Sequence, residues 1–323
     1  MTGRARVLAI VAAAAVLAVA GTVTITWLQT RGETTQRAGA VTKPRSGPPP
    51  LTLDFGVRSD PEAAALTRGE SLLRKGKRGR ALAIFERYGS VEAQIGAAFA
   101  RWPANGLDTV KRIVSAHPRS AAAQLHLGWA LLWTGRAADA VTQFQRVAGE
   151  FPDSPESVTA EDILYPKMAP NLPTIVLGLG LPPAATAADQ LRIAERGAQR
   201  PDVDAKLRYG LALWTLRHRV SAERQFAAAA ALDPKSAVAQ TAAAVGRFTK
   251  RDPVRAFARL GPLTGVFPEA AVVRLHLGTL LLWTGRLRKA AAQFRLAARD
   301  EPRSPFATVA RQFLSIIPAN GTK

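Results

Sequence analysis

The stretch LHLGWALLWTGR at residues 125–136 recurs as LHLGTLLLWTGR at residues 275–286, with ten of the twelve letters unchanged. Each copy is rich in Leu, contains Trp and an internal Gly, and has a Thr-Gly pair before its last residue that favours a turn. The stretch therefore predicts a buried helix followed by a turn. Its recurrence 150 residues later predicts that a whole block of the chain is duplicated.

Further positions follow both copies at equal spacing. Counted from Gly128, a Gly lies 7 residues later, an Ala 12, a Phe 16 and a Pro 24 residues later, and the same residues follow Gly278 at the same distances. This spacing predicts a helical hairpin. The first Gly allows the two helices to approach closely, the second ends the first helix, Ala packs against Phe, and Pro stops the second helix. The first copy uses Gly128, Gly135, Ala140, Phe144 and Pro152; the second uses Gly278, Gly285, Ala290, Phe294 and Pro302.

The spacing resembles the tetratricopeptide repeat, a 34-residue hairpin with Gly, Gly, Ala, Phe and Pro at these offsets. Only the Trp near the start of the family's first helix is missing. Further copies fit the same period, so that repeat starts fall at 87, 121, 203, 237 and 271, with weaker copies at 87 and 237 and a shortened copy before the first. The resemblance therefore implies an all-α solenoid in two three-repeat blocks, closed by a capping helix over residues 304–316.

The chain divides into seven predicted segments on this basis. They are a short basic N-terminus (1–6), a transmembrane helix (7–28), a linker with Pro and Gly (29–60), the first repeat block (61–152), an insert with one helix (153–202), the second repeat block (203–303), and a capping helix with a tail (304–323).

One long apolar run lies near the N-terminus. Residues 7–28 have no charge over 22 positions, and a helix of that length spans about 33 Å, enough for a hydrocarbon core of about 30 Å. Arg4 and Arg6 precede the run. A cleaved signal peptide is the alternative, because residues 18–20 (AVA) fit a cleavage pattern. The apolar run continues for eight more residues, which favours an uncleaved signal anchor.

The sequence gives two opposing indications of which side of the membrane the large domain occupies. Positive residues follow the apolar run closely, and a strict count of them would keep the large domain in the cytoplasm. An export signal has the same order of segments as this chain: a short basic stretch, an apolar core and a long domain. Long domains also translocate largely regardless of charge. We therefore expect a single-pass protein of the cell membrane with its repeat domain outside the cytoplasm.

The resemblance also implies a binding groove lined by the first helix of each hairpin. The positions that face this groove in the family are nearly all apolar here, whereas members that hold a C-terminal carboxylate have Lys, Arg and Asn there. A groove of this kind suits an apolar or amphipathic polypeptide segment with Trp anchors. Ordinary packing within the hairpins is the alternative for each residue. The candidate residues are Leu125, Trp129, Leu132, Trp133, Leu207, Leu211, Trp214, Phe248, Leu275, Leu282 and Trp283.

Residues 153–185 separate the two blocks, contain six prolines and have no evident helical period. Their middle, LPTIVLGLGLP, is too apolar for a solvated linker and too short for a membrane span. We expect residues 163–183 to lie along a groove, as an intramolecular plug or as a binding element. A helix over residues 186–200 then leads into the second block.

Several functional classes lack support in the sequence. There is no Cys, which excludes a thiol nucleophile, and no Walker, GxSxG or HExxH motif. His126 and His276 occupy equivalent positions, so duplication alone explains the pair. We therefore predict no catalytic residue, metal or cofactor. The formal net charge of +20 suggests an anionic partner, although GC-rich codon usage would give the same excess of Arg.

Two functions follow from these observations. The first is a membrane-tethered, non-enzymatic scaffold that binds a protein or peptide in an apolar groove. The alternative is a basic surface that binds anionic lipid, a cell-wall polymer or nucleic acid. The basic clusters at residues 74–80 and 286–289 lack interleaved aromatic residues for base stacking, which disfavours nucleic acid.

Overall fold

The computed structural model describes residues 44–317, and over this range the chain forms fifteen helices and no strand. These residues divide between Leu164 and Tyr165 into two compact units. The first unit contains α1 (Pro61–Arg74), α2 (Arg78–Phe85), α3 (Val91–Ala100), α4 (Gly106–Ala116), α5 (Ala121–Trp133), α6 (Ala137–Glu150) and α7 (Pro155–Leu164). The second contains α8 (Ala187–Gly197), α9 (Val203–Thr215), α10 (Arg219–Leu232), α11 (Ala237–Val245), α12 (Val254–Val266), α13 (Ala271–Trp283), α14 (Leu287–Asp300) and α15 (Pro305–Ile316).

Each unit contains three consecutive helical hairpins and a closing helix. In the first unit α1 packs on α2, α3 on α4 and α5 on α6, and α7 covers the last hairpin. In the second unit the hairpins are α9–α10, α11–α12 and α13–α14, closed by α15, while α8 packs on α9 before the first hairpin. First helices of successive hairpins also touch, so each hairpin covers the apolar face of its neighbour.

A close contact between glycine and phenylalanine holds the hairpins together. A Cβ atom placed on Gly128 would lie 2.5 Å from a ring carbon of Phe144, and one on Gly278 would lie 2.6 Å from Phe294. Both rings are almost completely buried. The Gly and Phe at fixed spacing in the sequence are therefore the two sides of one packing contact, because only a residue without Cβ leaves room for the ring.

The helix boundaries follow from local signals. Gly135 and Gly285 end the long first helices α5 and α13 with φ angles of 82° and 75°, which glycine adopts without strain. Several helices begin at a side chain that accepts a hydrogen bond from the backbone N–H three residues later. These caps are Ser90, Ser120, Asp202, Ser236 and Ser304.

The region between the blocks differs from the prediction. Residues 153–202 contain two helices, α7 and α8, where one was expected. The prolines suggested an irregular segment, but Pro155 occupies the first helical position, where its missing N–H costs nothing. The Ser154 hydroxyl accepts the Ser157 N–H at 3.2 Å as a cap. The Ser-Pro pair that starts α15 lies 150 residues later, so α7 is the first unit's counterpart of the capping helix.

The predicted capping helix is present as α15. Phe313 and Val309 are buried, and the Phe313 ring stacks on that of Phe294 with centroids 5.0 Å apart. This contact covers the apolar face that the last hairpin would otherwise expose.

The predicted membrane segment 7–28 lies outside the described residues, as do the basic N-terminus and the part of the linker up to residue 43. Within residues 44–317, no helix combines the length and the apolar character that crossing a bilayer requires.

Candidate functional site: a face that holds an extended segment in each unit

Each unit holds an extended segment of its own chain against the first helices of its hairpins. In the first unit this segment is residues 45–53, here called the first strap; in the second it is residues 169–177, the second strap. Neither has regular secondary structure. The first strap belongs to the predicted linker, and it packs against the repeat helices instead of acting as flexible coil. The second belongs to the apolar stretch that was predicted to lie along a groove.

Both straps begin at the end of a first helix. The Arg45 N–H donates to the carbonyl oxygen of Trp133 at 2.8 Å, and the Ala169 N–H donates to that of Trp283 at 3.0 Å. Trp133 and Trp283 are the last residues of α5 and α13. The final carbonyls of a helix have no donor within it, so the strap satisfies an acceptor that the fold leaves open.

A buried histidine holds the other end of each strap. The Nε2 atom of His126 accepts the Thr52 N–H at 3.2 Å, and that of His276 accepts the Val176 N–H at 3.0 Å. Because Nε2 accepts, the proton of each neutral ring lies on Nδ1. There it donates at 2.7 Å to the carbonyl of the residue four positions earlier in the helix.

Burial keeps both imidazoles neutral. Neither His126 nor His276 is exposed to solvent, and desolvation lowers the pKa of each to about 4, partly opposed by the hydrogen bond to the backbone carbonyl. A neutral ring is the form that can accept the strap N–H. The duplicated histidines therefore position a backbone segment.

The spacing between these contacts determines the shape of the strap. Seven residues separate the two bonded strap residues in each unit, and seven separate the matching His and Trp on the helix. Seven helical residues rise about 10 Å, whereas seven extended residues span up to about 23 Å. The strap must therefore bend. Gly47 and Asn171, at matching positions, have φ angles of 76° and 62°, which these residue types tolerate best.

Beyond the bend, alternate side chains point towards the helices. From the second residue after the bend onward, Pro49 and Leu51 of the first strap are buried, as are Pro173, Ile175 and Leu177 of the second, while Leu172 beside the bend is buried as well. This period of two is that of an extended chain with one face covered. The apolar contacts and the two backbone hydrogen bonds fix both register and direction, which is antiparallel to the helix.

Tryptophan side chains add polar contacts to the strap backbone. In the second unit, Nε1 of Trp214 donates to the carbonyl of Pro173 at 2.8 Å, and Nε1 of Trp283 donates to that of Asn171 at 3.3 Å. In the first unit, the Arg45 guanidinium lies 4.7 Å from the ring centroid of Trp133. The indole N–H of Trp133 is buried without a hydrogen-bond partner.

The predicted groove residues divide into three groups. Trp133, Trp214 and Trp283 contact the straps, and Trp129 packs edge-on against Trp133. Leu132 and Leu211 are partly buried. The remaining five lie in the hairpin interior with at most 1% of their surface exposed: Leu125, Leu207, Phe248, Leu275 and Leu282.

Sequence reasoning missed two parts of this site. It explained His126 and His276 by duplication alone, and it assigned residues 45–53 to the linker over residues 29–60. A signal was present: Pro-x-Leu-x-Leu at residues 49–53 and Pro-x-Ile-x-Leu at residues 173–177 share one pattern. These segments lie 124 residues apart, whereas the helices repeat at 150, so a search at the repeat period passes over them.

The described residues offer little for other chemistry. Over residues 44–317 no three His, Asp or Glu side chains are grouped so that they could hold a metal ion. The basic cluster at the α1–α2 turn is solvent-exposed at Arg74, Lys75, Lys77 and Arg80. Arg286, Arg288 and Lys289 are likewise exposed at the start of α14.

Comparison with known proteins agrees with the hairpin architecture. The model of the tetratricopeptide repeat family matches residues 92–155, which run from α3 to the start of α7. No curated protein matches the sequence at a significant level.

Solved structures of similar fold share little sequence with this chain. A tetratricopeptide repeat protein from Parabacteroides merdae is 14% identical, with 79% of this chain and 98% of that chain covered and a TM-score of 0.33. A tetratricopeptide repeat protein from Thermus thermophilus is 17% identical, with 79% and 98% covered and a TM-score of 0.25. Yeast Tom70 is 13% identical, with 81% and 69% covered and a TM-score of 0.30. TM-scores of this size carry no functional information. By helix order, spacing and the match over residues 92–155, the described chain is an all-helical, tetratricopeptide-like repeat protein.

Proposed function

We propose that the protein is a membrane-tethered, non-enzymatic scaffold that binds a polypeptide segment on the faces that hold the two straps. The observation that supports this most directly is that both faces hold an extended peptide through matching contacts. In each unit a helix-end carbonyl and a buried imidazole accept two backbone N–H groups of the strap.

The chemistry of these faces suits a polypeptide better than a small molecule. Their polar groups bind the peptide backbone, which every polypeptide carries, and their apolar surface covers alternate side chains. Main-chain hydrogen bonds supply affinity and side-chain pockets supply selectivity in this mode of recognition. A partner would enter by replacing part or all of a strap.

The support for a membrane tether comes from the sequence. Residues 7–28 are long and apolar enough to span a bilayer, and only residues 29–44 separate them from the first strap. The N-terminal order of charge and hydrophobicity favours a repeat domain outside the cytoplasm. The first strap would then lie close to the membrane surface, where it could respond to a neighbouring membrane protein.

A second candidate is an electrostatic surface for anionic lipid or a cell-wall polymer. The exposed cations Lys75, Lys77 and Arg80 at the α1–α2 turn and the net charge of +20 favour it. Such binding weakens steeply with ionic strength because exposed charges are screened. Binding on an apolar face persists at high salt.

The test is a crosslinking pull-down from native membranes, washed at high salt, with the wild-type chain beside Trp133→Ala/Trp283→Ala. Val254→Ala serves as a control on a side chain that is 66% exposed. We expect the wild type and the control to retain a discrete protein that the double variant loses. Circular dichroism checks that the double variant remains helical.

Two results would contradict the scaffold. Equal capture by a folded double variant would show that the strap-holding faces do not bind the partner. Recovery of lipids or polyanions alone, lost at high salt and abolished in Lys75→Glu/Lys77→Glu, would instead assign the function to the basic surface.

A further inference from the structure

We infer that the strap-holding faces select peptides of one seven-residue pattern: Gly or Asn, any residue, Pro, any residue, Leu or Ile, any residue, Leu. Each face also accepts the other unit's strap. The partner is thus an extended peptide of this pattern supplied in trans. This inference rests on the proposed function, because it names the class of peptide that the same faces would bind.

The two straps keep residue type at four of seven positions, and the second position, where they differ, is half-buried as Pro48 and buried as Leu172. Residues 47–53 are GPPPLTL and residues 171–177 are NLPTIVL. The first, third, fifth and seventh positions keep their chemical type, whereas the second, fourth and sixth change from Pro to Leu, Pro to Thr and Thr to Val. The agreement therefore falls on alternate positions, as expected for an extended peptide with one face against a surface.

Each constrained position has a physical reason. The first adopts a positive φ in both straps, which restricts it to Gly or Asn. The third is a buried Pro, and in the second unit its carbonyl accepts from Trp214. The fifth is a buried apolar residue, with Leu51 9% and Ile175 6% exposed. The seventh packs against the core of the first unit as Leu53 and is 3% exposed in the second unit as Leu177. The sixth provides only its N–H, to His126 or His276, so its side chain is free to vary.

The receiving surfaces match as well. His126 and Trp133 on α5 correspond to His276 and Trp283 on α13, and each pair makes the same two backbone contacts to its strap. Two surfaces with the same acceptors at the same helical spacing fix the same register of peptide. The two backbone contacts that set the register of a bound peptide are therefore the same on both faces.

The first face is incompletely satisfied by its own strap. Trp283 donates its indole N–H to the carbonyl of Asn171, but the corresponding N–H of Trp133 is buried without a partner. A peptide that follows the course of the second strap would supply that missing acceptor. We therefore expect the first face to bind the second-strap sequence more tightly than its own.

The tethered strap hides this preference in the wild-type chain. A covalently linked segment acts at an effective concentration in the millimolar range, so a free peptide competes poorly with it. Leu51→Asp/Leu53→Asp weakens the first strap while leaving every residue of helices α1–α7 unchanged. The full-length double variant therefore presents an accessible first face.

The experiment measures fluorescence anisotropy of labelled synthetic peptides with the purified full-length chain. The probes are residues 44–55, residues 168–179 and shuffled versions of both. We expect the double variant to bind both native peptides saturably, with the 168–179 peptide about tenfold tighter, the value of one added hydrogen bond. Wild type should bind both at least tenfold more weakly, and addition of His126→Ala should weaken binding by the double variant.

The outcomes of this experiment distinguish a failure of this inference from a failure of the proposed function. Equal binding of native and shuffled peptides would overturn the pattern and leave a peptide-binding scaffold in place. No peptide binding by a folded double variant would overturn the pattern and make the strap a structural brace, while the pull-down would still test the scaffold. A wild-type dimer in light scattering that Leu51→Asp/Leu53→Asp dissociates would overturn the assignment to a separate partner, because a second copy would then be the occupant.

A second variant keeps the test valid if the first fails to fold. Replacing residues 47–53 by the second-strap letters requires Gly47→Asn, Pro48→Leu, Pro50→Thr, Leu51→Ile and Thr52→Val. If each face accepts either strap, this chain should fold and keep slow hydrogen exchange at the residue 52 amide. Fast exchange at that amide, with helices intact, would show that the straps are not interchangeable.

Discussion

The Nε2 atom of His276 accepts the backbone N–H of Val176 at 3.0 Å, across 100 residues of sequence. His126 holds Thr52 in the same way across 74 residues. Each histidine thus joins a segment without regular structure to the last hairpin of its unit. These contacts depend on a neutral ring, and this gives the protein a pH dependence of defined sign.

We expect stability to fall as the pH drops from about 6.5 towards 4. Above the unfolded pKa both states are neutral and the histidines cause no change. Below it the unfolded chain binds protons that the folded chain excludes, because burial lowers the folded pKa of His126 and His276 to about 4. The loss is about 2 kcal/mol per histidine at pH 5, measured by urea unfolding at pH 7 and pH 5.

His126→Gln/His276→Gln provides the control for this dependence. Glutamine does not titrate. The change in the free energy of unfolding between pH 7 and pH 5 should therefore shrink by most of the loss expected from the two histidines. An unchanged pH slope in the double variant would assign the effect to other groups.

The strap N–H can be removed without altering the histidine. Val176→Pro deletes the donor to His276 and leaves its Nε2 buried without a partner, at a cost of about 1–3 kcal/mol in unfolding free energy. Thr174→Pro, two residues earlier, is the matched control, because Pro50 occupies that position in the first strap. We expect it to be neutral or slightly stabilising. Equal destabilisation by both changes would indicate that strap geometry, and not this hydrogen bond, is responsible.

The hairpins were predictable because their determinants are local. Gly128 and Phe144 lie sixteen residues apart, within one repeat, and the space that the ring requires fixes both residue types. The same logic identifies Gly278 and Phe294. Helix α7 was missed because the prolines and the missing helical period of residues 153–185 predict an irregular segment, although proline is favoured at a first helical position.

The straps were not predictable to the same extent, because their partners are distant in sequence. A proline-rich stretch has the same composition whether it is solvated or bound, and a histidine within an apolar helix gives no sign of what it will accept. Repeat position also could not separate the candidate residues that contact a strap from those buried within the hairpins. Trp133 and Trp283 contact the straps, whereas Leu125 and Leu275 are 1% exposed within the hairpins.

The indole N–H groups of Trp214 and Trp133 should contribute differently to the free energy of unfolding. Trp214→Phe removes a donor bonded to Pro173 at 2.8 Å and leaves that buried carbonyl unpaired, at a cost of about 1–3 kcal/mol beyond the lost apolar contact. Trp133→Phe removes an N–H that has no partner. We expect it to destabilise the chain less, as measured by urea unfolding of both variants. A larger loss for Trp133→Phe would contradict the hydrogen-bond assignment.

The contact between glycine and phenylalanine offers a test of the hairpin packing itself. A Cβ on Gly128 would lie 2.5 Å from a ring carbon of Phe144, so Gly128→Ala forces the ring or the helix to move, at a cost of about 1–3 kcal/mol. Gly149→Ala is the matched control, because this exposed residue of α6 has open space around its Cβ position. It should stabilise the chain by up to about 1 kcal/mol through helix propensity. Urea unfolding of the two variants measures both effects. If Gly128→Ala does not lower the free energy of unfolding relative to Gly149→Ala, the two helices separate without penalty.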